Sequence, residues 1–216
     1  MDKLKILIPA RRNSKGLPFK NRLLFNETVD SIPKKYHKYI IVSTDDEVLI
    51  EKCELMGLKV SIRPDELAID TTSTKEVIEY LVKNGDLNYD DVVIMLYLTY
   101  PERTFKEVKN VYKLFLDNKE KSLLCKKDFK GVHPYLYMLN AGNNKGRQLV
   151  KHNLYRRQDY PEIFEISHYI SIFKVSELGK LNNNLYNDDT YFFKIYDVID
   201  VDTKKDFDGL LRKEKK

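Results

Sequence analysis

Short apolar runs alternate with segments of helical periodicity along most of this 216-residue chain, and this alternation constrains the fold more than any other feature. The runs are too short for helices and are bounded by turn residues, as is typical of buried strands. They occupy residues 4–8, 39–43, 58–62, 91–98 and 122–125, with another strand predicted from Tyr191. Because strands that alternate with helices pair in parallel and are covered on both faces, we predict an α/β fold with a three-layer, mostly parallel sheet.

The segments between the runs carry signals that start and stop helices. A Ser or Thr followed three residues later by Glu forms a capping box, which satisfies two free amides at a helix start. Gly57 is predicted to end the first of these helices, and a last helix is predicted from Thr203, with Asp206 as a weaker capping partner. The predicted capping pairs are Thr44 with Glu47, Ser73 with Glu76, and Thr104 with Glu107.

The alternation stops between residues 131 and 170. This segment mixes aromatic, aliphatic and charged residues, as in LYRRQDYPEIFEISHYISIF at residues 154–173. It is too apolar for a free loop, so we predict an excursion from the sheet that packs on another surface, with a second subunit as one candidate. The chain is therefore expected to be a single domain, residues 1–216, with residues 131–170 as an arm.

Composition excludes several classes of protein. The chain has no run of about 18 apolar residues, so no membrane span is expected, and charged residues near Met1 interrupt any signal-peptide core. The net charge of +5 is modest and the basic residues alternate with acidic ones, which disfavours a nucleic-acid-binding surface. Cys53 and Cys125 lie far apart without metal spacing and are expected to be buried thiols of a cytoplasmic protein.

A basic loop follows the first predicted strand. The sequence IPARRNSKGLPFKN at residues 8–21 places Arg11, Arg12, Lys15 and Lys20 within a short distance of the end of that strand. Lys and Arg donate charge-assisted hydrogen bonds to phosphate, and free backbone amides can surround its oxygens. Charge alone leaves two interpretations open, a polyphosphate site and a solvated basic turn.

Asp200 and Asp202 form the second feature with chemical potential. On a strand, residues two apart point to the same side, so the two carboxylates could face one ion, and Mg²⁺ is commonly held by one or two carboxylates together with substrate phosphates. The alternative is an acidic strand end. The chain lacks the glycine spacing of a P-loop or a dinucleotide fingerprint, and the basic loop combined with the carboxylate pair suggests metal-assisted nucleotidyl transfer.

The basic loop also resembles the opening motif of the acylneuraminate cytidylyltransferases, the CMP-sialic acid synthetases. Five further segments resemble motifs of that family and occur in the family's order: IVSTDDE at 41–47, RPDELAIDTTST at 63–74, LTYPERT at 98–104, RRQDYPEIF at 156–164 and VIDVDT at 198–203. The resemblance implies a Rossmann-like sheet of the nucleotide-diphospho-sugar transferase type and a homodimer formed through the arm. It also implies Mg²⁺-dependent transfer of CMP from CTP to the anomeric hydroxyl of a 2-keto sugar acid (a nonulosonic acid), with release of pyrophosphate.

The resemblance further implies a role for individual residues. Catalysis would depend on Arg11, Lys20 and Asp202, with Asp202 also a candidate base. The nucleotide would be bound by Arg11, Asn13, Ser14, Lys15, Lys20, Asn21, Arg63 and Thr74. The sugar acid would meet Tyr97, Thr99, Arg103, Arg157 and Gln158, the last two from the neighbouring subunit, and Mg²⁺ would be held by Asp200 and Asp202.

Most departures from the family pattern fall on the expected sugar side, and one lies in the basic loop, where Arg12-Asn13 replaces the Gly-Gly of many relatives. Tyr97 to Pro101 read YLTYP where many relatives have Gln-Pro-Thr-Ser-Pro, and Ser167-His168-Tyr169 replaces a frequent Asn-Gly-Ala. The acceptor is therefore left open among N-acetylneuraminate and legionaminic-type, pseudaminic-type or deaminated acids. The alternative function is a catalytically weakened CTP-binding protein of the same fold, without sugar activation.

Overall fold

The computed structural model describes residues 3–196 and 198–213. Its strands are β1 (Leu4–Pro9), β2 (Ile40–Thr44), β3 (Lys59–Ile62), β4 (Val92–Met95), β5 (Ser122–Asp128), β6 (Met138–Asn140), β7 (Gly146–Gln148), β8 (Phe164–Lys174) and β9 (Tyr191–Lys194). Its α-helices are α1 (Lys20–Ser31), α2 (Glu47–Leu55), α3 (Thr74–Lys83), α4 (Phe105–Asp117) and α5 (Lys204–Lys213). The predicted alternation of strands and helices is confirmed.

Seven of the strands in the described part of the chain form one sheet, in the order β3-β2-β1-β4-β8-β5-β9. All pair in parallel except β8, which is antiparallel to both of its neighbours, β4 and β5. The chain runs from β1 to β2 on one side and returns to β4 on the other side of β1. This reversal creates a crevice at the carboxyl ends of β1 and β4, the place where open α/β sheets bind ligands.

Helices cover both faces of the sheet, which gives three layers. Side chains alternate along each strand, so Ile6 and Ile8 of β1 pack with α1, α2, α4 and α5, whereas Leu7 packs on the opposite face with α3 and the turns after β8. Cys53 and Cys125 are free, buried thiols, as expected from the sequence. In the described residues, no helix has both the length and the apolar character needed to span a membrane.

Two of the three predicted capping boxes are present, and the third prediction was wrong. Ser73 and Thr104 each accept from the amide three residues later, and the Glu at that position reaches back to the cap. Thr44 instead remains in β2, where its hydroxyl donates to the carbonyl of Ala10 at 2.6 Å. Asp46 caps α2 by accepting from the Val48 amide at 3.0 Å. The Thr44 hydroxyl therefore bonds to the neighbouring strand and is not available to cap α2.

The arm predicted at residues 131–170 is partly an excursion. Strands β6 and β7 form a separate two-stranded hairpin. The chain returns to the central sheet earlier than predicted, at Phe164, which pairs with Asp128 of β5. Many apolar side chains on the excursion are exposed. They include Val132, Leu136, Tyr137, Met138, Leu139, Leu149, Val150, Leu154 and Tyr155.

Candidate functional site

A cavity of about 270 Å³ opens at the crevice between the carboxyl ends of β1 and β4. Most of the site residues predicted from the sequence line it. Those residues are Arg11, Asn13, Ser14, Lys20, Asn21, Arg63, Thr74, Tyr97 and Thr99. Residues far apart in the sequence thus meet where parallel strands end, as the topology requires.

The basic loop is held in shape by its own hydrogen bonds. The side-chain Nδ2 of Asn21, in the first turn of α1, donates to the carbonyl of Arg11 at 2.7 Å. The Arg11 Nε donates to the carbonyl of Asn13 at 2.8 Å. These bonds tie the loop to the start of α1, so its cationic side chains are positioned before any ligand arrives.

Asp70 is a site residue that the sequence analysis did not single out, although it lies within the motif at residues 63–74. Its carboxylate contacts Arg11 Nη2 at 2.5 Å and Lys15 Nζ at 2.7 Å. The hydrogen bond from Lys15 and the charge and hydrogen bond of Arg11 hold the pKa of Asp70 below its ordinary value. Lys15 does not line the main cavity but an adjoining one that shares Asn13, Ser14 and Asp70 with it.

Lys20 connects the basic loop to the second predicted feature, the carboxylate pair. Its Nζ donates to Asp202 Oδ1 at 2.7 Å across 182 residues of chain. Gly16 packs so tightly on the carbonyl of Asp202 that a Cβ at this position would overlap it. The Val201 amide also donates to the carbonyl of Thr99 at 2.8 Å. Neither Asp200 nor Asp202 lines the cavity itself, but these contacts hold the segment that carries them against the lining residues Lys20 and Thr99.

Asp200 and Asp202 supply carboxylates, the donor type that Mg²⁺ prefers. Residues 198–202 do not form a strand, so the strand alternation used in the sequence argument does not apply to this pair. Asp200 Oδ2 accepts from the Tyr100 hydroxyl at 2.7 Å, while its Oδ1 is buried and has no hydrogen-bond partner among the described residues. In that same part of the chain, no group of three or more His, Cys, Asp or Glu side chains could hold a metal. A cation bound by this pair would therefore complete its coordination with water and phosphate oxygens, as Mg²⁺ does in nucleotide sites.

Arg63, Thr74 and Tyr97 also line the cavity. Arg63 is buried, and its Nη2 donates to the carbonyl of Ser43 at 3.2 Å, whereas its Nε finds no partner within the described ranges. Burial lowers the pKa of Arg63 to about 10, so the side chain remains a cation at neutral pH. The Thr74 and Tyr97 hydroxyls lie 2.7 Å apart. Together these groups present hydrogen-bonding atoms that could read a nucleobase.

The structure corrects one predicted substrate residue and places two others away from the cavity. Arg103 is only 4% exposed, and it donates to the carbonyls of Tyr169 at 2.7 Å and Tyr97 at 2.9 Å. Its guanidinium therefore braces the strand ends and does not face a ligand. Arg157 and Gln158 lie in a short 3₁₀ turn of the arm, outside the set of cavity-lining residues of their own chain.

Comparison with known proteins gives a consistent result. A family model described as cytidylyltransferase matches residues 5–157. The N-acylneuraminate cytidylyltransferase of Streptococcus agalactiae serotype V is 26% identical over 213 residues, which cover 93% of this chain and 51% of that protein. The pseudaminic acid cytidylyltransferase of Campylobacter jejuni strain 81-176 is 28% identical over 170 residues, covering 73% of this chain and 72% of that protein. The chain thus spans about half the length of its Streptococcus relative.

Solved structures share the fold. A CMP:2-keto-3-deoxy-manno-octonic acid synthetase complexed with CTP superposes with a TM-score of 0.66 at 14% identity, covering 98% of this chain and 99% of that one. A cytidylyltransferase from Leptospira borgpetersenii gives 0.59 at 18% identity, covering 96% and 84%. At these identities the likeness concerns the fold alone, and it confirms the predicted nucleotide-diphospho-sugar transferase type.

Proposed function

We propose, given that this chain belongs to the cytidylyltransferase family, that it transfers CMP from CTP to the anomeric hydroxyl of a sialic-acid-like 2-keto sugar acid and releases pyrophosphate. The observation that carries the proposal is the Lys20–Asp202 contact, 2.7 Å long. It joins a basic loop suited to a triphosphate with a carboxylate pair suited to a cation, at the ligand-binding end of the sheet. The named relatives act on acids of this class.

In this proposal the reaction is a direct displacement at the α-phosphorus of CTP. The sugar hydroxyl oxygen forms a bond to that phosphorus, and the bond from phosphorus to the oxygen bridging the β-phosphate breaks. The hydroxyl proton passes to Asp202 or to a water that it holds. Negative charge grows on the phosphoryl oxygens and on the leaving pyrophosphate, so positioning and fixed positive charge matter more than a strong nucleophile.

Arg11 and Lys20 supply that charge from the loop side. Both line the cavity, where fixed positive charge stabilises the negative charge that develops on the phosphates. Asp200 and Asp202 would hold Mg²⁺, which supplies further charge neutralisation on the phosphates when bound. Asn13, Ser14 and Asn21 would donate to phosphate oxygens, while Arg63 and Thr74 would contact the cytosine.

The sugar acid would bind beside Tyr97 and Thr99, with Arg157 and Gln158 provided by a second subunit. The support for a homodimer is the exposed apolar surface of the arm, where Met138 is 56% and Tyr137 is 51% exposed. Exposed apolar side chains concentrated in one segment are typical of an interaction surface. We place the reaction in the cytoplasm, in line with two free, buried thiols.

A panel experiment tests the activity. Pyrophosphate release is measured with Mg²⁺, each of CTP, ATP, GTP and UTP, and each of several nonulosonic and octulosonic acids. We expect release only with CTP and a suitable acid, and loss of release in Asp202→Asn. Asp208→Asn is the matched control, because Asp208 pairs with Lys204 on α5 at 3.3 Å, whereas Asp202 pairs with the cavity-lining Lys20.

The second candidate is a CTP-binding protein without sugar activation. The departures at Tyr97 to Pro101 and at Ser167 to Tyr169 favour it, since they alter the sugar side. Arg11, Lys20, Asp200 and Asp202 are all present, which favours the enzyme, because a decayed site would lose such groups. CTP binding by calorimetry, with no pyrophosphate released across the whole panel, would decide for the second candidate.

The homodimer is tested by light scattering during size-exclusion chromatography. We expect Met138→Asp to shift the protein from dimer to monomer by placing a charge on the arm. Leu55→Asp is the control, because Leu55 is 82% exposed on α2 and distant from the arm in sequence. A wild-type monomer at micromolar concentration would contradict the dimer without touching the proposed chemistry.

A further inference from the structure

Tyr100 connects the buried interior to the carboxylate pair. Its side chain is only 5% exposed, and its hydroxyl donates to Asp200 Oδ2 at 2.7 Å. The residue directly follows the cavity-lining stretch that includes Tyr97, Leu98 and Thr99. None of the roles assigned above from the sequence motifs includes Tyr100.

A chain of hydrogen bonds fixes the direction in which the Tyr100 proton points. The backbone amide of Tyr169 donates to Ser167 Oγ at 3.3 Å, and Ser167 Oγ donates to the Tyr100 oxygen at 3.3 Å. Since Ser167 supplies a proton to Tyr100, the single Tyr100 proton is directed to Asp200. Ser167 is 2% exposed, so bulk water competes little for these groups.

Both ends of the Tyr100–Asp200 bond are also held by packing and backbone contacts. The Tyr100 ring packs edge-on against the Tyr169 ring at a centroid distance of 5.5 Å. On the other side, the Val201 amide donates to the carbonyl of Thr99 at 2.8 Å, which fixes the backbone next to Asp200 relative to that next to Tyr100. The carboxylate therefore has little freedom to rotate.

The second carboxylate oxygen of Asp200, Oδ1, indicates what this arrangement does. Oδ1 is buried and lacks a hydrogen-bond partner among the residues that the structure describes. A buried carboxylate oxygen without a partner is costly unless it serves a ligand or ion. Because Oδ2 is engaged by Tyr100, Oδ1 is the oxygen left to coordinate a cation.

We infer that Tyr100 is a positioning residue for a divalent cation: its hydroxyl orients the Asp200 carboxylate so that Oδ1 serves as the ligand. This inference rests on the proposed function, which places the cation between Asp200, Asp202 and the phosphates of CTP. Hydrogen-bond partners of metal ligands typically change metal affinity about 10- to 100-fold when removed. Tyr100 acts through Asp200 and touches neither substrate nor cation.

The test separates metal affinity from nucleotide affinity and needs no turnover. The dissociation constant of CTP is measured by calorimetry in EDTA and again with saturating Mn²⁺. The constant in EDTA divided by the constant in Mn²⁺ gives the contribution of the cation at the site. Tyr100→Phe is expected to lower this ratio about tenfold or more, with the constant in EDTA unchanged. Tyr169→Phe is the matched control, because Tyr169 is 3% exposed and its hydroxyl donates to Glu107, not to Asp200.

The outcomes distinguish this inference from the proposed function. An unchanged ratio in Tyr100→Phe, or an equal fall in Tyr169→Phe, overturns the inference while leaving CTP-dependent pyrophosphate release intact. A wild-type ratio of one overturns both the inference and the proposed cation site. Ser167→Ala is a second variant that keeps the ring and its packing. It is expected to lower the ratio by a smaller factor than Tyr100→Phe does, because the Tyr100–Asp200 bond remains but loses its polarising donor. No change there also counts against the inference.

Discussion

Arg11 and Asp70 form an ion pair inside the cavity, with Nη2 and Oδ1 2.5 Å apart. Asp70 also contacts Lys15 at 2.7 Å through its other oxygen. A carboxylate therefore lies between two of the cations that we propose bind the triphosphate of CTP. It serves as an internal counter-ion for the basic loop, and an incoming phosphate must share these cations with it or displace it.

Replacing Asp70 by Asn is expected to strengthen metal-free binding of CTP and pyrophosphate. The substitution removes a negative charge that competes with phosphate for Arg11 and Lys15, so we expect dissociation constants about 3- to 10-fold lower at low ionic strength. Calorimetry in EDTA measures the effect.

Asp90→Asn is the matched control for this prediction. Asp90 pairs with Lys3 at 3.0 Å with both side chains exposed, and the substitution makes the same change in net charge outside the set of cavity-lining residues. Weaker binding in Asp70→Asn would show that the carboxylate organises the loop more than it competes with the ligand.

Gly16 is expected to tolerate no side chain. A Cβ there would overlap the carbonyl oxygen of Asp202, which is backbone and cannot rotate away. Gly16→Ala must separate the basic loop from the carboxylate segment, so we expect a loss of about 1–3 kcal/mol in unfolding free energy and a fall in CTP-dependent pyrophosphate release. Urea unfolding and the release assay measure the two effects.

Gly209→Ala provides the opposite expectation, in the helix that follows the carboxylate segment. Gly209 lies in α5, and no atom is close enough to meet an added Cβ. The substitution should stabilise the protein by about 0.5–1 kcal/mol through helix propensity. Equal stability of Gly16→Ala and wild type would mean that the loop and the carboxylate segment separate freely.

Much of the fold was predictable because local signals and burial agree. The capping boxes at Ser73 and Thr104 form as their spacing predicts. The pattern at Thr44 misled because the hydroxyl of that residue bonds Ala10 on the neighbouring strand, a contact that only the sheet creates. The antiparallel direction of β8 could likewise not be predicted from the sequence, because it depends on how the arm returns to the sheet between β4 and β5.

The site could be predicted where one motif carries several polar residues. It could not be predicted where the role of a residue depends on the residues that it contacts only in the folded chain. Most of the site residues predicted from the motifs line the cavity. Asp70 was not singled out because a lone Asp acquires its role only when Arg11 and Lys15 fold onto it. Arg103 was assigned to the substrate through the resemblance of its motif, whereas in the folded chain this buried side chain donates to two backbone carbonyls. Sequence alone does not distinguish these two uses of arginine.

Arg63 and Arg103 offer a matched pair of buried arginines with opposite expected phenotypes. Arg63→Met removes a charge with one backbone partner and an unpartnered Nε in the described chain. We expect CTP affinity to fall about 10- to 100-fold, the loss of hydrogen bonds from a charged donor, while the melting temperature without ligand does not fall.

Arg103→Met is expected to lower the stability of the protein more than its affinity for CTP. It leaves the carbonyls of Tyr97 and Tyr169 without their donor, at a cost of about 2–5 kcal/mol for two buried acceptors. Thermal unfolding with and without CTP measures both variants. A large loss of stability in Arg63→Met would mean that its role is to brace the strands, as Arg103 does.

His168 is expected to make stability depend on pH. Its ring packs edge-on against Tyr97 at 5.5 Å, and burial lowers its pKa below the ordinary value of 6.5, although the charge of Asp200 opposes the shift. Above about pH 7 the imidazole is neutral in both the folded and unfolded states. As the pH falls through 6.5, the unfolded chain takes up a proton before the folded one does, so the unfolding free energy decreases until the folded pKa is passed.

His168→Gln removes this proton uptake and should flatten that part of the profile. We expect the difference in unfolding free energy between wild type and variant to be constant at pH 7–8 and to change against the wild type between about pH 6.5 and pH 5. Urea unfolding at half-unit pH steps measures it, with the difference at pH 8 as the internal baseline. Parallel curves over the whole range would mean that the folded protein binds the proton at His168 as readily as the unfolded chain does.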